Sequence, residues 1–468
     1  MMKSVGMMLT AATLAGCSLA PEYQRPAAPV ASLYPAYGAG QTASAVTADS
    51  GWREFYRDPL LQTLIAQALA NNRDLRIAAL NVEAVRARYR IQRADSLPTL
   101  AAQGEAAVQR TPGDLAAGGQ SAIGRSYQVG GVMAWELDLF GRLRSLNQQA
   151  LELYLAQDET RTAAQLALIA ETANAYLALR ADSELLALAQ ETLNSQQAAY
   201  ELVDKSFRLG VATELDHSQA EIGVRTAQRD LARYRRQVRQ DNNALTLLVG
   251  QPFAPEVSAQ LAQANSLPDS LLPEAIPAGL PAELLIRRPD IRAAEYQLRA
   301  ANANIGAARA AFFPTISLTG SGGTVSAGLD GLFSSGSGAW SFTPQISLPI
   351  FSGGALRAGL DLSEVQKRIE VARYEQVIQQ GFRETADALA GRDTLDEQIL
   401  AQTRLVAANQ RAYTLSQQRF QQGVDNYLNV LDSQRSLYAA QQVLVETRLA
   451  RLTNLVDLYR ALGGGWRE

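Results

Sequence analysis

Hydrophobic and polar positions along this chain follow two periods, and the pattern switches between them twice. From Ser126 the residues alternate. Tyr127, Val129, Met133, Trp135, Leu137 and Leu139 fall on one side, and Ser126, Gln128, Glu136 and Asp138 on the other. Ile316 and Leu318 alternate in the same way with Thr315, Ser317 and Thr319. Trp340, Phe342, Ile346, Leu348 and Ile350 alternate with Ser341, Thr343, Gln345 and Ser347. A weaker run sets Leu100, Ala102, Ala106 and Val108 against Gln103, Glu105 and Gln109. The pattern predicts four strands, grouped as hairpins at 97–140 and 313–351. A two-faced strand fits a lipid-facing barrel with a wet lumen, and also an ordinary half-buried sheet. Tyr127, Trp135, Trp340 and Phe342 are candidates for an interfacial aromatic girdle. Pro344, inside the fourth run, predicts a bend or bulge, because a closed barrel has no free edge to tolerate it.

Each hairpin leads into a long helical tract. Between Gly141 and Gly210 there are 68 residues with neither glycine nor proline. Unbroken, such a helix would be about 100 Å long, too long for a compact domain. It belongs in a coiled coil, a bundle or a tube. A second long helical tract, free of proline but holding three internal glycines, runs from Ala355 to Gly423. Alanines at 163, 167, 170, 173 and 178 suit close packing between helices.

The two halves are copies. Asp74–Leu100 aligns without a gap to Asp290–Ile316, with Asp74/Asp290, Arg76/Arg292, Arg93/Arg309, Pro98/Pro314 and Thr99/Thr315 coinciding. Further on, Phe207-Arg-Leu-Gly-Val211 matches Phe420-Gln-Gln-Gly-Val424, and Gly250 falls opposite Gly463. The first repeat, 56–250, therefore reads as a helix at about 56–96, the hairpin 97–140, a long helix 142–208 and a closing helix 214–248. The second, 284–462, follows a helix at about 280–312 with the hairpin 313–351, a long helix 355–421 and a closing helix 427–461. Pro98 and Pro314 stop the opening helices. Residues 17–55 read as an extended N-terminal segment, 251–283 as a connector and 463–468 as a tail.

Composition narrows the function. The 468 residues are 19% charged with a net charge of −3, which points away from nucleic acid. One cysteine and one histidine leave no zinc or iron site of the Cys/His type, and no metal or cofactor is expected. His217 alone could act as a base, but a structural role is the simpler reading. Residues 1–16 read as a secretory signal ending in Leu14-Ala15-Gly16-Cys17. This run resembles the bacterial lipobox, which implies a lipidated, palmitate-bearing Cys17 as the mature N-terminus; Ser18 favours the outer membrane. No later apolar run is long enough for a transmembrane helix.

Counting strands decides the assembly. One chain offers four, and membrane barrels begin at about eight. Lipid forbids an open edge, so chains must associate, most simply with cyclic symmetry. Two chains would fill their barrel with side chains; three would give twelve strands and a lumen.

The chain resembles the outer-membrane factor family (outer membrane efflux proteins), in its lipidated OprM/TolC-like branch. Leu14-Ala-Gly-Cys17, Gly51-Trp-Arg-Glu-Phe55, Trp135-Glu-Leu-Asp-Leu-Phe-Gly-Arg142, Arg288-Pro-Asp-Ile-Arg292, Ala307–Pro314 and Tyr459–Trp466 carry the resemblance. It implies a homotrimer with mixed α and membrane β structure. A twelve-stranded outer-membrane β-barrel would run into a periplasmic α-helical barrel of about 100 Å, with an equatorial collar made by the connector and both chain ends. It further implies the exit duct of a tripartite drug-efflux pump, serving a periplasmic adaptor and an inner-membrane pump of the resistance-nodulation-division (RND) class. Such a duct is not an enzyme.

The resemblance also implies a periplasmic gate at the two helix–turn–helix tips, Leu209–Asp216 and Gln422–Asp432, with turn glycines Gly210 and Gly423. Constricting rings of leucine and aspartate map to Leu428 and Asp432, one helical turn apart. Three leucines would form a dewetting plug and three aspartates a cation-attracting ring. Arg435 and Phe420 are candidate ties holding the tip shut, with Asp216 facing them, and Asp425 is a candidate second acidic ring. Phe420 stands where relatives often carry tyrosine. Two other readings share parts of this pattern: a type I secretion duct, and a periplasmic lipoprotein scaffold or adaptor. The scaffold would not need two-faced strands. A hydrolase is disfavoured because acidic residues such as Glu201, near Lys205, sit at helix-surface salt-bridge spacing.

Overall fold

The computed structural model describes residues 19–32, 34, 50–115, 119–273 and 287–465. Cys17 and the signal segment lie outside the described residues, as do 274–286 of the connector region and Trp466 of the tail. The helices are α1 (Trp52–Phe55), α2 (Pro59–Asn71), α3 (Arg73–Ala94), α4 (Arg142–Arg208), α5 (Glu214–Val249), α6 (Pro255–Gln263), α7 (Pro289–Ala310), α8 (Ala355–Gln421) and α9 (Tyr427–Ala461). The strands are β1 (Thr99–Thr111), β2 (Ala122–Leu137), β3 (Thr315–Ser326) and β4 (Gly338–Ser347). The sequence helix, hairpin, long helix, closing helix thus occurs twice. Both long helices are 67 residues, as the glycine-free first tract predicts. The chain divides into two compact units.

The first unit, Met1–Ala27, Asn81–Asp158 and Ala293–Glu375, holds the sheet. Its strands lie in the order β1-β2-β3-β4, every pair antiparallel. Residues directly opposite one another in a ladder share a face. The register therefore gathers the apolar positions of all four strands on one side: Leu100 opposite Met133, Met133 opposite Gly320, and Gly320 opposite Phe342. Trp135 opposes Leu318, and Leu137 opposes Ile316, which opposes Ile346. Phe342 and Trp340 lie across from Gly320 and Gly322, where the missing side chains leave room for the rings. On the other face, Gly130 and Gly323 oppose each other so closely that a Cβ at Gly323 would stand 2.2 Å from the Val129 carbonyl oxygen.

Pro344 makes no bulge: the β3–β4 register runs unbroken from Thr315 opposite Ser347 to Thr324 opposite Gly338. The reason lies in the ladder's alternation. Val325 N–H donates to the Ser337 carbonyl (2.8 Å), so that pair is hydrogen-bonded and every second pair after it is not. Leu318 and Pro344 form one of the non-bonded pairs, and the proline nitrogen faces away from β3. Leu348 and Ile350, counted in the fourth strand from the sequence, lie beyond its end.

The corner from β2 into α4 explains the run Trp135–Arg142. Asp138 accepts from the Leu143 and Arg144 amides at the helix start (3.1 and 2.8 Å). Glu136 pairs with Arg142 at 2.7 Å, Trp135 Nε1 donates to the Ser96 carbonyl (3.1 Å), and Phe140 stacks on Phe313. The N-terminal segment runs along α7: Arg309 donates to the Leu19 carbonyl, Asn302 to the Pro21 carbonyl, and Tyr23 and Arg25 both reach the buried Glu295 carboxylate.

The second unit, Ala28–Leu80, Glu159–Arg292 and Gln376–Glu468, has an aromatic core. Trp52, Phe55 and Tyr56 are buried, and Phe55 stacks on Tyr459 at 4.0 Å. Arg288 is buried too, tied to Asp290, Glu384 and the Ala461 carbonyl. The opening helix of the first repeat is not continuous, as the sequence suggested. It starts at Pro59 under an Asp58 cap and breaks at Asn72, whose backbone is extended. There the Asn72 side chain accepts from Leu75 N–H and donates to the Leu248 carbonyl. Local capping outweighs helix propensity at that point.

Candidate functional site

The two helix–turn–helix ends share one backbone design. Gly210 and Gly423 both have φ of +74°, the left-handed conformation that ends a helix. Matching bonds close the turns: Gly210 N–H to the Phe207 carbonyl and Val211 N–H to Ser206, Gly423 N–H to Phe420 and Val424 N–H to Arg419. Side chains then set the turns apart. In the first, Thr213 caps α5 and Asp216 bonds back to both the Thr213 amide and hydroxyl (3.0 and 2.7 Å), a complete capping box. Those Thr213 bonds hold the Asp216 carboxyl below the usual carboxylate range. The structure thus spends Asp216 on its own helix, and no bond joins it to Arg435 or Phe420. The Thr-Glu-Leu-Asp spacing is the sequence signal for this cap.

In the second turn, Asn426 caps α9 through a single long bond to Asn429 N–H (3.4 Å). Asp425 pairs with Arg419 at 2.6 Å; the guanidinium holds its carboxyl low. Arg419 was not singled out from the sequence, since only the turn brings these two residues together. Leu428, Asp432 and Arg435 lie at helical spacing on the exposed face of α9, with Arg435 3.7 Å from Asp432. The opposite face is packed. Tyr427, Val430 and Leu431 are buried with Val203 and Ala220, and Phe420 packs against this cluster with its ring 5.3 Å from Tyr427. Phe420 is therefore a core contact of the turn and does not lie on the exposed stripe with Leu428 and Asp432.

His217 is held structurally. Its Nε2 lies 3.1 Å from Tyr200 Oη and 3.2 Å from Asp204 Oδ1, and Phe207 stacks on the ring. Further along the same hairpin, α4 and α5 bring Asp182 beside Asp241. Burial and the neighbouring carboxylate push Asp182 up to about 7. Asp241 Oδ2 is buried and accepts no bond from the described residues.

In the sheet, Tyr127 is the sixth and Trp135 the fourteenth of the sixteen residues of β2. Phe342 occupies the fifth of ten positions in β4, a mid-strand place, and Trp340 the third. Trp340 is 83% exposed and Leu100 81%, so among the described residues much of this apolar face is left uncovered. Among the described residues no group of three or more His, Cys, Asp or Glu is arranged to hold a metal, and no described helix is long and apolar enough to cross a membrane.

Residues 64–251 and 280–464 match the family model described as outer membrane efflux protein. The chain is 50% identical, over 468 residues covering 99% of it and 96% of the relative, to the toluene efflux pump outer membrane protein TtgC of Pseudomonas putida. It is equally similar, over the same shares, to the antibiotic efflux pump outer membrane protein ArpC of Pseudomonas putida. Among solved structures, the open state of the MtrE outer membrane channel of Neisseria gonorrhoeae superposes with a TM-score of 0.87 at 40% identity, covering 96% of this chain and 99% of that one. With its sheet, its paired long helices and both matched tracts, this chain belongs to the outer membrane efflux protein family.

Proposed function

We propose that this protein is the outer-membrane exit duct of a tripartite RND-type efflux pump, carrying drugs, organic solvents and other small toxic molecules outward without chemistry of its own. The observation that carries the reading is the sheet. Four strands share one apolar, exposed face, and β1 and β4 each leave one edge unpaired. Lipid tolerates no such edge, so copies must close the sheet. Three copies give twelve strands and a lumen. The exposed α3, which buries none of its 22 residues within the chain, supports association as well. Toluene and antibiotics, named for the relatives, are the cargo classes we assign.

Partners follow from the same reading: two further copies, a periplasmic adaptor, an inner-membrane pump and outer-membrane lipid. Residues 17–55 and 251–283, with the tail 463–468, form the equatorial collar. Cys17 is the lipid anchor. Leu19 is bonded to Arg309 close to the end of α7, five residues before β3 begins at Thr315. Two residues of chain reach at most about 7 Å, so a lipid on Cys17 sits near the base of the membrane strands. Leu428 and Asp432 form the gate, with Gly210 and Gly423 shaping the tips, and Arg435, Asp425 and Arg419 act as charged neighbours of the gate.

Single-channel conductance of the purified protein in a planar bilayer tests this. Small, mostly closed currents that grow in Leu428→Ala/Asp432→Ala support a channel gated at the second turn. Silence from a lipidated wild-type protein favours a scaffold, and equal large currents from both proteins move the constriction elsewhere.

A further inference from the structure

Only two charged residues stand on the apolar face of the described sheet. Following the register, Arg110 of β1 shares that face with Leu100, Ala102, Ala106 and Val108, and Arg125 of β2 shares it with Tyr127, Val129, Met133 and Trp135. The strands' two carboxylates, Glu105 and Glu136, are on the other face. Arg125 lies directly opposite Val108, and Arg110 directly opposite Ile123. The arginines are therefore diagonal neighbours, within reach of one ligand group. Both are exposed, and neither makes an ion pair among the described residues; Arg110 has one long contact, 3.5 Å, to Ser121 Oγ.

Their height is informative. Trp135 and Arg125 are ten positions apart on β2. At about 3.4 Å per residue and a tilt of about 40°, that separation is about 26 Å across the membrane, close to the apolar band of about 25 Å in such barrels. Trp135 is next to the helices, so the arginines mark the far boundary of the band. An arginine costs several kcal/mol at the centre of a bilayer and almost nothing at its rim, so charge is tolerated at this level. Two guanidinium forks side by side match phosphate oxygens in a bidentate manner. Tyr127, two residues inward on the same face, offers a ring to the boundary between acyl chains and headgroups.

We propose that Arg110 and Arg125 form a binding site for the phosphate of an outer-leaflet lipid headgroup, a phosphorylated glycolipid whose acyl chains lie along Val108, Tyr127 and Val129. The site rests on the membrane reading of the sheet and goes beyond it.

The test uses the full-length protein purified from membranes, with native mass spectrometry counting bound lipid. The probes are bisphosphorylated lipid A, its dephosphorylated form and inorganic phosphate. The wild type should retain bisphosphorylated lipid A at least tenfold better than the dephosphorylated form. Arg110→Gln/Arg125→Gln should lose that preference while still reaching the membrane fraction. Arg110→Lys/Arg125→Lys should keep part of it, since charge remains and the fork does not. Equal retention of the two lipids by the wild type would overturn the proposal. So would displacement of lipid A by low millimolar inorganic phosphate, which would make this a free-anion site. Asp330 is the acid in the described turn between β3 and β4, and a loss reproduced by Asp330→Asn would overturn the proposal by assigning the arginines to an ion pair between neighbouring copies. A wild-type protein absent from membranes would bring down the membrane reading itself, a failure distinct from the others.

Discussion

The two hairpin turns have the same backbone and opposite internal economies. Aligned by their glycines, Thr213 matches Asn426, Leu215 matches Leu428, Asp216 matches Asn429 and Gln219 matches Asp432. In the first turn the acid sits at the third helical position and closes a capping box. In the second it has moved one turn along, to a place where the helix has no use for it and where it stays exposed beside Arg435. Leu215 is 64% exposed and Leu428 38%. The first turn builds its own helix start. The second lacks the return bond and carries Asp432, exposed, on the same face as Leu428. A duplicated unit has let one copy carry structure and the other carry the proposed gate. The shafts differ too: Asp182 and Asp241 of the first hairpin correspond to Leu395 and Asn454 in the second, and Asn454 simply donates to the Ala388 carbonyl.

The largest expected effect separates the turns by conductance. Leu428→Ala/Asp432→Ala should raise single-channel current several-fold, whereas Leu215→Ala/Gln219→Ala should leave it near wild type. Equal effects would erase the division of labour. Next come the shared glycines. At φ of +74°, alanine is strained, and Gly210→Ala and Gly423→Ala should each cost about 1–2 kcal/mol by thermal unfolding. No neighbour lies within 4 Å of a Cβ at either site, so the two losses should agree; a marked inequality would mean the backbones are not equivalent.

Asp182 then tests the first shaft. Its raised value means the native state keeps a proton that the unfolded chain releases near its ordinary pKa of about 4. Between about pH 4 and 7 the native state binds more protons, so this group's stability contribution falls as pH rises. Asp182→Asn should therefore stabilise more at pH 8 than at pH 5, by on the order of 1 kcal/mol once the exposed part is discounted. A pH-independent change would mean that the folded protein does not raise Asp182. Thr213→Ala should cost about 1 kcal/mol, and Asn426→Ala less, because the second cap has one long bond and no return partner. Smallest of all, Arg419→Gln breaks an exposed pair and should leave the melting temperature unchanged, with at most a slight rise in open probability.

Much of this was visible in the residues. Alternation in Tyr127–Leu137 and Thr315–Thr319 marks strands because side chains of a strand point to opposite faces whatever lies around them. The absence of glycine and proline from 142 to 209 marks a long helix for an equally local reason. Pro344 was misjudged because its cost depends on which neighbour its nitrogen faces, and that depends on the ladder. Asn72 was missed as a break because its partners, Leu75 N–H and the Leu248 carbonyl, include one far along the chain. The spacing of Thr213 and Asp216 announces a cap, and the bonds form it; whether Asp216 meets Arg435 or Phe420 depends on the tertiary path, and no bond joins it to either.

By itself, the sequence determined the elements, their duplication, the two faces of each strand and the turns at Gly210 and Gly423, since all of these follow from local sterics and periodicity. Tertiary structure alone decided what meets what. It sent Phe420 into the core against Tyr427, joined Arg419 to Asp425, set Asp182 against Asp241, and placed Arg110 and Arg125 side by side at the rim of an apolar face. Pairing across space depends on register and on the path of the chain, and these are properties of the whole fold that no short window of residues contains.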